Sequence, residues 1–236
     1  MTTKKKIFVA IASLAASVAI VVVSVFATVA YLTSSAAVSN VFTIGNVGIT
    51  MDESKVNPDG TVVDGGGRVD TNTYKLVPNT KYVKDPVIHV TAGSENSYLF
   101  VLVRNDLEKI EIASENADEM TIAEQLAVNG WKEYTSASTG KVYAYYGKDG
   151  SGNLNTNAAS VTPGDYKLFD YFMTDPKADV STYGAAKITL TAVAIQTSGF
   201  GSNGEIGTPA ALEDAWEAII ETYPYIHTGN SSSTTP

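Results

Sequence analysis

The chain has 236 residues, 44% hydrophobic and 17% charged, with a formal net charge of −9, so it is long and apolar enough for a sizeable core. It holds no cysteine, two histidines (His89 and His227) and two arginines (Arg68 and Arg104). That excludes disulfides and thiolate metal sites, leaves too little for a basic nucleic-acid face, and nearly starves zinc and Ser-His chemistry, pointing to a binding or structural protein.

Lys4, Lys5 and Lys6 precede an apolar run over residues 7–32. A basic start followed by an apolar segment is an export signal. Thr28-Val29-Ala30 places small residues before a cleavage point between Ala30 and Tyr31, and Ser34-Ser35-Ala36 is a weaker second site. The run also reaches the ~20 residues that span a bilayer, so retention as an anchor is the alternative. Removal of residues 1–30 takes three lysines and no acidic residue, so −9 becomes −12.

Residues 31–40 are small and polar with scattered apolar side chains, and read as extended. Residues 41–51 (VFTIGNVGITM) are β-branched and read as one strand, with Gly45 and Gly48 as points of bulge or close approach. Asn57-Pro58-Asp59-Gly60 is a turn, and 64–67 a flexible loop. Short strands are predicted at 73–77, 81–83 and 87–91, split by Pro78 and Pro86. Residues 98–103 (YLFVLV) lack polar alternation, so that strand is buried on both faces. Residues 121–128 are the best helix within the domain. A hairpin is predicted from 131–134 and 141–146, then a loop over 148–163, an aromatic strand at 166–173 and a last strand at 187–197. Thr208 caps a helix with Pro209 at its first position and Leu212, Trp216, Ile219, Ile220 and Tyr223 at helical spacing; Pro224 stops it. Residues 229–236 are a polar, low-complexity tail of the kind that stays disordered.

Many short strands and few helices describe an all-β fold with helical decorations, an antiparallel β-sandwich with a C-terminal helix. The divisions are a signal peptide at 1–30, an N-terminal segment at 31–42, a domain at 43–224 and a flexible tail at 225–236.

Motifs for chemistry are sparse. His89 is followed by Val90, Thr91, Ala92 and Gly93, so the zinc-protease helix motif is absent. No nucleophile elbow or phosphate loop follows a strand. Asp149-Gly150-Ser151-Gly152-Asn153 alternates oxygens as a calcium loop does, but its twelfth position is Ser160, so a plain flexible loop is favoured. Asp52, Glu53, Asp175 and Asp179 are read as acidic loop groups at the surface. Tyr143, Tyr145 and Tyr146 crowd one hairpin, where rings suit strands as readily as they suit a binding face.

Certain stretches resemble a known family. They are Ala30-Tyr31-Leu32-Thr33 at the signal end, then Val41-Phe42-Thr43-Ile44-Gly45-Asn46-Val47 running into Ile49-Thr50-Met51-Asp52-Glu53. Next come Tyr74-Lys75-Leu76-Val77-Pro78-Asn79, Tyr82-Val83-Lys84-Asp85-Pro86 and Gly93-Ser94-Glu95-Asn96-Ser97-Tyr98. The strand Ile188-Thr189-Leu190-Thr191-Ala192-Val193-Ala194-Ile195-Gln196 and the helix bearing Ala215-Trp216 complete the set. Together they resemble the TasA/camelysin (CalY) family of exported bacterial matrix proteins; residues 108–164 lie outside the resemblance. It implies a jelly-roll domain, cleavage by a signal peptidase of the endoplasmic-reticulum type, and assembly into extracellular biofilm fibres. In such fibres the freed N-terminal segment of one subunit adds as a strand to the next. Camelysin members were also named as metallopeptidases. With no zinc motif here, that activity is not carried over.

The residues fit strand donation on their own terms. In an extended segment Leu32, Ala36, Val38 and Phe42 share one face, interrupted by Ser34 and Asn40. An open sheet edge accepts such a segment, and a head-to-tail contact of this kind makes filaments. The segment's assembly residues are therefore Tyr31, Leu32, Ala36, Val38, Val41 and Phe42. The expectation is a non-enzymatic fibre subunit without a cofactor, secreted to the matrix or surface of a Gram-positive bacterium. Its partners are further copies of itself, a signal peptidase and minor fibre or anchoring proteins, with no nucleic acid. The rivals are a membrane-anchored adhesin or ligand-binding module and a camelysin-type metallopeptidase, for which His89 is the only well-placed ligand.

Overall fold

The computed structural model describes residues 39–112, 119–137, 140–200, 206–224 and 226. Ala30, Tyr31, Leu32, Ala36 and Val38, and the tail at 229–236, lie outside the described residues. Among the described residues the fold is mostly β, with 37% strand against 17% helix, and the sheets are antiparallel in all pairings but one. The all-β class with helical decoration therefore holds.

Eleven strands are described. A five-stranded sheet runs β1(Ser39–Ile44), β11(Ile188–Gln196), β6(Ser97–Asn105), β8(Gly140–Tyr145) and β7(Trp131–Ala137). A four-stranded sheet runs β3(Arg68–Val69), β2(Ile49–Ser54), β5(Val87–Val90) and β9(Gly164–Lys167). A two-stranded pair joins β10(Tyr171–Met173) to β4(Lys81–Val83).

β6 shows why its sequence is apolar at every position. Leu99, Val101 and Val103 face a core shared with Ile49 and Met51 of β2, Ile88 and Val90 of β5, and Tyr82 and Phe172 of the two-stranded pair. Tyr98, Phe100 and Leu102 face the other way, into a second core closed by the C-terminal helix. β11 does the same, with Leu190, Ala192 and Ala194 on one face and Val193 and Ile195 on the other. The sheet's centre is thus covered twice, and period-2 alternation disappears.

Both predicted helices form. α1(Ile122–Val128) starts at Thr121, whose hydroxyl accepts from the Glu124 N–H while the Glu124 carboxylate accepts from the Thr121 N–H. Its buried Gln125 donates to the Tyr171 carbonyl at 2.9 Å and accepts from the Asp170 N–H at 3.0 Å, fastening the helix to β10. α2(Pro209–Thr222) is capped by Thr208 and buries Leu212, Ala215, Trp216 and Ile219 against the five-stranded sheet. Each large apolar side chain so buried contributes about 1.5–3 kcal/mol.

Three predicted strands need revision. Residues 41–51 form two strands in different sheets, because the chain turns at Gly45 (φ 87°). The positive φ favours glycine there, and a Cβ would also push the Gln196 side chain aside. Residues 166–173 likewise divide, since Leu168 and Phe169 are buried between β9 and β10 rather than paired in either. Residues 73–77 form no strand; Tyr74 and Leu76 are nonetheless buried, and Asn79 turns the chain with φ 54°.

Candidate functional site

The N-terminal edge comes first. β1 is the outer strand of its sheet and pairs parallel to β11, from Ser39 opposite Leu190 to Ile44 opposite Ile195. Of the predicted assembly residues, Val41 and Phe42 lie on it. Val41 is 37% exposed. Phe42 packs on the second core, with its ring 5.0 Å from that of Tyr223. The Tyr223 hydroxyl donates to the Thr43 carbonyl at 3.0 Å, so the end of α2 clasps this strand.

A polar cluster lies on the four-stranded sheet. Register places Thr50 and Asp165 opposite His89 on the flanking strands. The imidazole Nδ1 is 2.7 Å from Asp165 and its Nε2 3.0 Å from Asp52. Arg68 pairs with Asp52 and donates to the backbone carbonyls of Asp52 and Asp85 at 3.0 Å each. Partial burial works against the charged imidazole, but the bonds to Asp52 and Asp165 outweigh it, and the His89 pKa rises above its ordinary value. Partial burial likewise opposes the Asp52 charge, yet Arg68 and His89 hold its carboxyl below the usual range. Each imidazole nitrogen is engaged by a carboxylate, so neither offers a free ligand. Among the described residues no group of three or more His, Asp or Glu is arranged to hold a metal ion.

A second cluster is interior. Glu53 and Lys84 have side-chain exposures of 1% and 0%, and Lys84 Nζ lies 2.5 Å from Glu53 Oε2. Asn72 Nδ2 donates to Glu53 Oε1 at 3.0 Å and to the Ser54 carbonyl at 2.8 Å. Its Oδ1 accepts from the Val56 N–H at 2.9 Å. Burial lowers the Lys84 pKa, against the pull of Glu53 and Asp85. Tyr74, beside Asn72, has its phenol pushed well above the ordinary range, chiefly by burial.

The sequence reading placed Glu53 with Asp52 as a surface loop group. Both lie on β2, and alternation sends them to opposite faces. The signal was present, since Glu53 continues the inward series Ile49, Met51. Lys84 similarly follows Tyr82 by two residues.

The remaining candidates are modest. A cleft of about 220 Å³ is lined by Asn105, Glu108, Glu111, Ile122, Lys141 and Tyr143 among others, and a groove of about 440 Å³ lies between β7 and α2, lined by Tyr134, Glu213, Trp216 and Ile220 among others. Burial pushes the Glu111 carboxyl up to about 7, with Glu108 and Glu124 adding to the effect and the Ile122 N–H and Asn105 opposing it. Asp149 of the predicted loop accepts from the Ser151 and Asn153 N–H groups, closing a turn on itself. Asp175 and Asp179 cap local turns at Lys177 and Ser181. Tyr143 and Tyr146 are buried on opposite faces of the hairpin rather than displayed.

Comparison with family models, curated proteins and solved structures finds no match to this chain.

Proposed function

We infer that the chain is a structural subunit of an extracellular biofilm-matrix or surface fibre. Subunits with a jelly-roll-like domain would polymerise head-to-tail by donor-strand complementation. The family resemblance suggests this reading, and the observation that supports it most is the register of β1. Ser39 pairs with Leu190, and β11 begins at Ile188, so this pairing leaves no length of β11 for residues before 37. Cleavage after Ala30 would free Tyr31, Leu32 and Ala36 to add to a second subunit. The outer edge of β1 is the pairing edge that a second subunit would use in this reading. Cleavage times assembly, because an uncleaved segment is tethered to the membrane.

Electron microscopy of residues 31–236 beside 39–236 tests this and leaves β1 whole in both. Filaments in the longer chain alone are the expected result. Monodisperse particles in both would favour an anchored binding module.

A further inference from the structure

The interior cluster has a composition that structural packing alone does not require. An amine, a carboxamide and a carboxyl group meet in a pocket closed to water, with Lys84 and Glu53 each 1% exposed and Asn72 5%. One carboxyl group touches both nitrogens that an acyl exchange would involve: Lys84 Nζ on Oε2 and Asn72 Nδ2 on Oε1. The carboxamide oxygen already accepts from a backbone N–H, that of Val56. We propose that Lys84 and Asn72 condense into an intramolecular isopeptide bond, with Glu53 carrying the protons.

The step balances without any co-reactant. Glu53 first takes a proton from the Lys84 ammonium, leaving a neutral amine and a carboxylic acid. The amine lone pair attacks Asn72 Cγ, and the Nζ–Cγ bond forms. Negative charge builds on Oδ1, where the Val56 N–H holds it. Glu53 gives its proton to Nδ2 and recovers one from Nζ. The Cγ–Nδ2 bond then breaks, ammonia leaves, and Glu53 ends as the acid. Burial favours the uncharged amine that the attack needs. An exported chain with no cysteine would gain a covalent cross-link that needs no oxidant. This inference stands apart from the fibre reading, because it concerns one chain alone.

Mass spectrometry of the purified full chain tests it. Acylated Lys84 resists trypsin, so the digest should contain residues 69–75 joined to 82–104 as one branched peptide, lighter by about 17 Da than the two together. Glu53→Gln should return the separate peptides and cleavage after Lys84. Asn72→Asp should restore the branched peptide through loss of water. Wild-type protein that yields peptide 69–75 unlinked, with cleavage after Lys84, would overturn the proposal. That holds even if Asn72 has lost about 17 Da, since a succinimide formed by Asn72 alone has the same mass. Because the wild-type digest decides the question, a Glu53→Gln chain that failed to fold would not obscure it.

Discussion

Asp52 and Glu53 are neighbours in sequence and opposites in environment. Asp52 shares the surface with Arg68 and His89, where solvent screens its interactions and pairing has small effect. Glu53 sits in the interior against Lys84, where an unpaired charge is costly. In an Asn72→Ala background, where the proposed cross-link cannot form, Lys84→Met should therefore destabilise the fold by about 3–5 kcal/mol, and Glu53→Leu by a similar amount, because each leaves one partner of the ion pair buried alone. The double variant should lose less than either single one, which urea denaturation of the three chains would reveal. Glu111 yields a second prediction. Its folded pKa of about 7 lies above the ordinary 4.5, so the native state binds its proton more tightly than the unfolded chain does. The resulting stabilisation is complete below about pH 4.5 and is lost as pH rises through about 7. His89, also raised, works in the same direction from 6.5 upward. Glu111→Gln should flatten the decline in stability between pH 4.5 and 8, leaving the portion due to His89. Denaturation midpoints for both chains across that range measure it.

At the scale of elements, caps and periodicity were legible and crossings were not. Thr208, Pro209 and the spacing of Leu212, Trp216 and Ile219 specify α2 locally, and it forms where they place it. Thr208→Ala should cost about 1 kcal/mol through the lost cap. Trp216→Ala should cost about 3–5 kcal/mol, because the indole fills the space beside Phe100 (5.3 Å between ring centres) and Tyr134. Equilibrium unfolding of both variants separates the cap from the packing. The breaks within 41–51 and 166–173 were illegible for a physical reason. Each segment is β-branched or aromatic on both sides of the break, so propensity continues where pairing changes sheet. Gly45 was read as a point of bulge or close approach, but nothing local says that its positive φ sends the next strand into a different sheet. The interior Lys84, Glu53 and Asn72 were obscured because charged residues are read as surface by default. The alternations Ile49, Met51, Glu53 and Tyr82, Lys84 contradict that reading.

For the whole molecule, charge and connectivity would set the conditions of the proposed assembly. A chain carrying −12 after cleavage repels its copies, and the repulsion reaches further at low salt. The screening length falls from ~30 Å at 0.01 M to ~8 Å at 0.15 M. Filament growth from residues 31–236 should therefore accelerate with added sodium chloride over that range, which light scattering would follow. Under the proposed donor-strand assembly, specificity would rest instead on the apolar face of the N-terminal segment. Leu32→Asp and Val38→Asp place a carboxylate where a donor strand must be buried, at a desolvation penalty that main-chain pairing does not offset. Each should abolish filaments at every salt concentration. Circular dichroism and the thermal midpoint of both variants, set beside those of the parent chain, separate lost assembly from lost folding. If both variants still form filaments in 0.15 M salt, the subunits join through a surface other than residues 31–42. The open edge of β7, at the far side of the same sheet, is then the next to block.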